Sequence, residues 1–178
     1  MHTPHVAVAL LFTAVAVAAQ AQQGAPSAAA TPTPPQGLFP RDDAGRIRLQ
    51  EVAAVDGISA AELYSRAKAW AALTYKSGKD VVQLDDKEAG RLVVKGNLGR
   101  LRHTVVIEVK DGRYRYTISG LLWVNPPPNN NEVPLEDLFR KDGEPKLGER
   151  GFLEKVHGQL VSLAANLKAA MTKPEEKW

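Results

Sequence analysis

A β-hairpin near the middle of the chain restricts the possible folds more than any other feature of the sequence. Asp111-Gly112 favours a two-residue type I′ turn, and alternating apolar and polar residues flank it in 104–110 and 113–123. Because side chains alternate between the two faces of a strand, each predicted strand has one apolar face. The residues predicted to share the inner face are Val105, Ile107, Val109, Tyr114, Tyr116 and Ile118. A hairpin of this kind needs further strands and a covering layer to bury that face.

The remaining periodic segments supply those strands and that layer. Ser59 followed by Glu62 predicts a capping box that begins a helix, and Lys173-Pro174 ends a second helix. Besides the hairpin, the sequence predicts strands at 46–55, 80–84 and 91–98, and helices at 59–75 and 149–171. The order β-α-β-β-β-β-α predicts a two-layer α+β fold, in which two helices cover one face of a five-stranded antiparallel sheet.

The N-terminal residues have the composition of an export signal followed by a tether. Val6 to Ala19 is a run of 14 uncharged residues, too short for a membrane span, and Ala19-Gln20-Ala21 supplies the small residues of a cleavage site. We therefore predict a signal peptide at 1–21 and a periplasmic or secreted mature chain with no transmembrane span. Gln, Ala, Thr, Pro and Gly dominate the next segment, which predicts a flexible linker over 22–41 and a single domain over 42–173.

Composition excludes several classes of function. The 178-residue chain contains no cysteine, so disulfide scaffolds, thiolate metal sites and cysteine nucleophiles are excluded. Its net charge of +3 is too weak to indicate nucleic-acid binding, and a signal peptide would remove the chain from the genome. We therefore expect no nucleic-acid partner.

Several segments, in the same order along the chain, resemble the secreted bacterial DUF4468 family, a family of domains of unknown function. The similarity extends over 43–138 and is carried by the segments 51–57, 62–70, 79–90 and 107–117. It implies a fold like one half of the TATA-binding protein and a secreted setting. It implies no activity, ligand or catalytic residue.

Candidate catalytic and metal-binding residues are few and isolated. Asp85, Asp86 and Glu88 crowd one turn, but their spacing lacks the alternation of a calcium loop, so a solvated turn is favoured. His103 and His157 stand without a nucleophile motif or a metal-ligand motif around them. We predict no catalytic residue, metal site or cofactor from these patterns.

Basic residues concentrate at positions that alternate out of phase with the core. The six candidate binding residues are Arg46, Arg48, Arg91, Lys95, Arg113 and Arg115. If neighbouring strands bring them together, the uncovered face of the sheet offers a cationic platform to an anionic polymer, a lipid headgroup or an envelope protein. Ordinary solvation of an exposed sheet is the alternative reading.

Three functions follow from these observations. The leading hypothesis is a non-enzymatic binding or interaction module of the cell envelope. The second is a carboxylate-based hydrolase or carbohydrate-active enzyme that uses Asp85 with Glu88 or Glu108. The third is an envelope structural protein that associates with itself through sheet edges.

Overall fold

The structure is a computed structural model, and it describes residues 37–75 and 81–173. Its elements in chain order are β1 (Leu49–Ala54), α1 (Ala60–Thr74), β2 (Val82–Asp86), β3 (Arg91–Leu98), β4 (Leu101–Lys110), β5 (Arg113–Val124), β6 (Glu132–Pro134), a 3₁₀ helix (Leu135–Leu138) and α2 (Arg150–Thr172). None of the helices within these residues is long and apolar enough to cross a membrane. The predicted signal peptide and most of the predicted linker lie outside the described residues.

The sheet is antiparallel throughout, with the strand order β1-β5-β4-β3-β2. A short sixth strand, β6, pairs with Leu122 to Val124 of β5. It lies on the same side of β5 as β1, which pairs with the first half of that strand. The sequence predicts five of these strands. It does not reveal β6, because a three-residue strand that ends in proline carries no alternation of its own.

The central hairpin has the predicted register. Val105 lies opposite Ile118, Ile107 opposite Tyr116, and Val109 opposite Tyr114. All six side chains are buried in the core. The Asp111 carboxylate of the turn also accepts a hydrogen bond of 2.7 Å from the Ala60 amide, which fixes the turn against the first residue of α1.

A β-bulge interrupts the alternation of β5 at Gly120. The strand register shifts between Arg102 and Thr104, and Gly120 adopts a φ of +62°, a conformation that glycine reaches without steric cost. The extra residue turns Leu121 toward the core, where it is buried. The polar face of β5 therefore ends at Ser119 and Gly120.

Both helices pack on one face of the sheet. The Ser59 side chain accepts a hydrogen bond from the Glu62 amide, as the capping box predicts, but the Glu62 carboxylate pairs with Arg66 instead of completing the box. The indole nitrogen of Trp70 in α1 donates to the Asn166 side-chain oxygen in α2 at 2.9 Å, which joins the two helices.

The packed region begins before the predicted domain boundary at residue 42. Phe39 is buried, and its ring meets the rings of Phe139 and His157 edge-on at 5.9 Å and 5.3 Å. Arg41 stacks its guanidinium on the Phe139 ring and pairs with Ile47 in a β-bridge. Residues 39–41, which the sequence assigns to the linker, therefore pack against the folded domain, because one large aromatic residue anchors them despite a surrounding composition typical of a tether.

Candidate binding groove on the open sheet face

The open face is the side of the sheet that points away from α1 and α2. Strand register places its outward residues in rows that cross the sheet. One row brings Arg91 of β3 next to Glu108 of β4, and Glu108 next to Arg115 of β5. Neighbouring strands lie about 5 Å apart, so a single carboxylate stands between two arginines whose backbones are roughly 10 Å apart.

A concave region of about 690 Å³, the arginine groove, occupies the centre of this face. Val106, Thr117 and Ser119 line it from the middle of β4 and β5. The loop 42–48 and the segment from Pro134 to Glu136 also line the groove. Its basic residues are Arg46, Arg48, Arg91 and Arg115.

The structure therefore brings together four of the six predicted binding residues. Arg113 lines an adjacent depression of about 410 Å³ together with Lys110 and Arg115. Lys95 is exposed opposite Thr104 in the sheet and lines neither concavity. It is the one predicted residue that the fold leaves apart from the others.

Two of the groove arginines are paired with carboxylates. Arg115 donates to Glu108 from Nε and Nη2, at 2.8 Å and 2.6 Å, and Arg46 contacts Asp42 at 3.0 Å. Arg48 instead donates to the neutral Gln50 side chain at 2.7 Å. Arg91 forms no ion pair with any carboxylate of the described residues. Arg48 and Arg91 therefore form no direct ion pair with the described carboxylates, although Arg91 stands in the ladder between Asp86 of β2 and Glu108 of β4.

Hydrogen bonds fix the loop that bounds the groove. The Asp42 carboxylate accepts from the backbone amides of Ala44 and Arg46, both at 3.0 Å. The Arg46 amide is the largest cause that holds the pKa of Asp42 below its usual range, so this carboxylate stays ionised. The Glu136 carboxylate accepts from the Ile47 amide at 2.7 Å and ties the loop to the 3₁₀ helix.

The sequence analysis did not identify this loop as part of the site. Asp42 followed by Gly45 is a turn signal, because aspartate accepts local backbone hydrogen bonds and Gly45 adopts a φ of +75°. That signal could have predicted a turn before β1. It could not have predicted the contact with Glu136, which lies 89 residues away in the sequence.

One of the two carboxylate pairs named for the enzymatic alternative, Asp85 with Glu108, does not converge. Asp85 lies opposite the fully buried Leu92 and faces α1, where it accepts from Tyr64 Oη at 2.5 Å and Lys68 Nζ at 2.7 Å. Lys68 first, and Tyr64 second, lower the pKa of Asp85. Glu108 lies on the opposite, open face. Within 37–75 and 81–173, no group of three or more His, Asp or Glu side chains is arranged to hold a metal ion.

The candidate residue His103 is buried in the core. The Tyr75 hydroxyl and His103 Nε2 are hydrogen-bonded at 2.7 Å, while His103 Nδ1 faces the Leu101 carbonyl at 3.5 Å. Burial lowers the pKa of His103. Trp123 stacks edge-on against Phe152, with ring centroids 4.6 Å apart.

Known proteins share the fold of this chain, and part of the chain matches the family that the sequence resembles. Residues 50–122 match the family model described as a domain of unknown function (DUF4468) with TBP-like fold, which confirms the resemblance seen in the sequence. No curated protein matches the chain.

Two crystal structures share the fold. A DUF4468 family protein from Bacteroides ovatus has a TM-score of 0.64 at 13% identity, over 80% of this chain and 95% of its own. A TBP-like protein from Parabacteroides distasonis has a TM-score of 0.64 at 17% identity, over 78% of this chain and 99% of its own. At these identities the likeness establishes a common fold and leaves the ligand to be inferred from the groove.

Proposed function

We propose that this chain, in which residues 50–122 match a family of unknown function with a TBP-like fold, is an exported, non-enzymatic binding module of the cell envelope. Its ligand is anionic and binds in the arginine groove. The observation that carries the proposal is the convergence of four arginines on one concavity of about 690 Å³, where Arg48 and Arg91 form no ion pair with a carboxylate of the described residues.

The chemistry of the groove suits anionic groups. Arginine presents a planar set of N–H donors that matches a carboxylate, sulfate or phosphate, and such charge-assisted hydrogen bonds are about twice as strong as neutral ones. The hydrogen bonds of Asp42 and Glu136 hold the loop 42–48 in place before a ligand arrives. Less ordering is then required on binding, which favours affinity.

Two observations support the remaining parts of the proposal. Export is inferred from the apolar run Val6 to Ala19 and the Ala19-Gln20-Ala21 site. A binding role without catalysis is supported by the separation of Asp85 and Glu108 on opposite faces, because acid-base hydrolysis needs two carboxylates across one cleft.

The test compares two variants of equal net charge. Arg48→Gln with Arg91→Gln removes the two groove arginines that form no ion pair with a described carboxylate, while Arg100→Gln with Lys155→Gln removes two exposed charges outside the groove. Glutamine is chosen because a glutamate at position 91 would stand beside Glu108 and weaken the fold by repulsion.

Binding of sulfate and phosphate is measured by calorimetry at low salt, and the melting temperature is recorded for each protein. We expect the groove variant to lose at least about tenfold in affinity, and the control to lose little, at nearly equal melting temperatures. Equal losses in both variants would mean that bulk charge alone attracts the anion. That result, or no binding by the unmodified protein, would refute the groove as the site.

A further inference from the structure

The arginine groove adjoins the depression that Arg113 lines. The two concavities share the ion-paired Glu108 and Arg115 and lie side by side on the open face. The lining residues on β5 run from Arg113 to Leu122, a distance of roughly 30 Å at the rise of an extended strand. We call the two concavities together the trough.

Basic side chains occur along the whole trough in three clusters. Arg46 and Arg48 form one cluster, Arg91 and Arg115 form the middle one, and Lys110 and Arg113 form the third. Arg46 and Arg115 are paired with Asp42 and Glu108, so each cluster keeps at least one basic side chain without an ion pair to a described carboxylate. A single sulfate or phosphate contacts only one cluster, since these ions are far smaller than the trough. An extended chain with repeated negative charges contacts all three, and linked contacts raise the affinity well beyond that of one contact.

The third cluster is an independent indication that the ligand reaches this end. Lys110 and Arg113 lie directly opposite each other in the ladder between β4 and β5, and both are exposed. Like charges in this position destabilise a sheet, and neither side chain forms an ion pair with a carboxylate of the part of the chain that the structure describes. An anionic group bound between them relieves the repulsion.

The floor of the trough favours a polysaccharide over a peptide. The floor is a sheet face, whose backbone N–H and C=O groups are already used in the ladders, so it cannot add a peptide as a further strand. Recognition must therefore come from side chains: the arginines for acidic groups, with the Ser119 hydroxyl on the floor beside them. A flat membrane surface also fits poorly, because a planar array of headgroups does not enter a concave floor.

From these observations we infer that the ligand is an acidic polysaccharide, a chain of carboxylate-bearing sugars that lies along β5 and occupies all three clusters. This inference rests on the proposed function and names the ligand class for the same site. Glu108 then has a role in specificity. Its carboxylate holds Arg115 at 2.6 Å and repels acidic groups at the centre of the trough.

The experiment measures calorimetric affinity for polyuronate oligomers of increasing length, at constant uronate concentration and low salt. We expect the affinity to rise by about tenfold or more with length, and to level off once the oligomer spans roughly 30 Å. Arg113→Gln should weaken only the longer oligomers, because short ones bind in the arginine groove without reaching position 113. Glu108→Gln should tighten binding several-fold, because it removes the internal competitor of the ligand.

The outcomes separate this inference from the proposed function. Affinity that is independent of length, with the groove variant still impaired, would overturn the polysaccharide and leave an anion-binding groove. Tighter binding of an oligoglutamate of matched charge, or of vesicles rich in anionic lipid, would also overturn it. Oligomers recovered at their original length support a binding role, whereas shortened oligomers would contradict it and favour the enzymatic alternative. Failure of every anion, inorganic sulfate and phosphate included, would refute both proposals.

Discussion

Replacement of Gly96 by alanine should strongly destabilise the protein, although the backbone at this position accepts an alanine. The conformation of Gly96 does not have a positive φ. A Cβ atom built there would lie 2.1 Å from Cε1 and 2.6 Å from Cδ1 of the Tyr75 ring. Carbon atoms in contact are normally about 3.5–4.0 Å apart, so the ring must move by more than about 1 Å.

The Tyr75 ring cannot move without losing other contacts. Its hydroxyl is hydrogen-bonded to the buried His103 at 2.7 Å, and its ring packs edge-on against Trp70 at 5.9 Å. Overpacking a core typically costs about 1–3 kcal/mol, and the loss of one hydrogen bond costs about 1 kcal/mol more. We expect Gly96→Ala to lower the free energy of unfolding by about 2–4 kcal/mol, with a melting temperature lower by roughly 10 °C.

Urea denaturation of four proteins tests this reasoning: the unmodified chain, Gly96→Ala, Tyr75→Ala and the double variant. Tyr75→Ala alone should cost about 3–5 kcal/mol by emptying the space of the ring. In that background Gly96→Ala should cost nothing, because its methyl group enters the vacated space.

A coupling energy of about 2–4 kcal/mol is therefore expected between positions 75 and 96. Additive costs would refute the steric explanation. Gly158→Ala is the matched control, since a Cβ there meets nothing within 4 Å inside α2. It should raise the stability by about 0.5–1 kcal/mol.

Two further predictions concern buried polar groups. Tyr114→Phe should leave the stability unchanged or raise it by up to about 1–2 kcal/mol, because the buried Tyr114 hydroxyl has no hydrogen-bond partner among the residues that the structure describes. Tyr116→Phe should lower the stability by about 1–2 kcal/mol, because the Tyr116 hydroxyl donates to Glu51 at 2.8 Å. A loss of similar size in both variants would contradict this contrast. His103 has a lowered pKa in the fold, so the unfolded chain binds its proton more tightly. Stability should therefore fall as the pH drops below about 6.5, by at most about 1.4 kcal/mol per pH unit. His103→Gln should flatten this slope in denaturation curves measured from pH 7 to 5, and an unchanged slope would show that other groups cause it.

Local patterns in the sequence predicted much of the fold. The alternation around Asp111-Gly112 gave the correct pairing of β4 with β5, because a two-residue turn sets the register of the strands that it joins. Ser59 marked the start of α1 for a similarly local reason, since its side chain caps an amide three residues ahead. In contrast, Phe39 stands in a stretch whose composition is typical of a linker, and only its partners Phe139 and His157 explain its burial.

The candidate site was predictable as a set of residues but not as an arrangement. Alternation identified Arg91, Arg113 and Arg115 as outward-facing, and the strand register then placed Arg91 and Arg115 on either side of Glu108. Lys95 satisfies the same alternation, yet it stands in a different row and lines neither concavity. Alternation tells which face a residue occupies, whereas its neighbours on that face depend on the pairing of strands that are distant in sequence.

By itself, the amino-acid sequence determined the class of fold, the absence of cysteine chemistry and the face on which the basic residues lie. These properties depend on composition and on periods of two and 3.6 residues, which a chain carries in every short segment. Tertiary structure decided which charges meet. Glu136 holds the loop before β1 beside the sheet, Glu108 neutralises Arg115, and Arg91 remains without a carboxylate partner in the described chain. Such contacts join residues far apart in sequence, and electrostatic interaction depends on the distance between charges and their exposure to solvent.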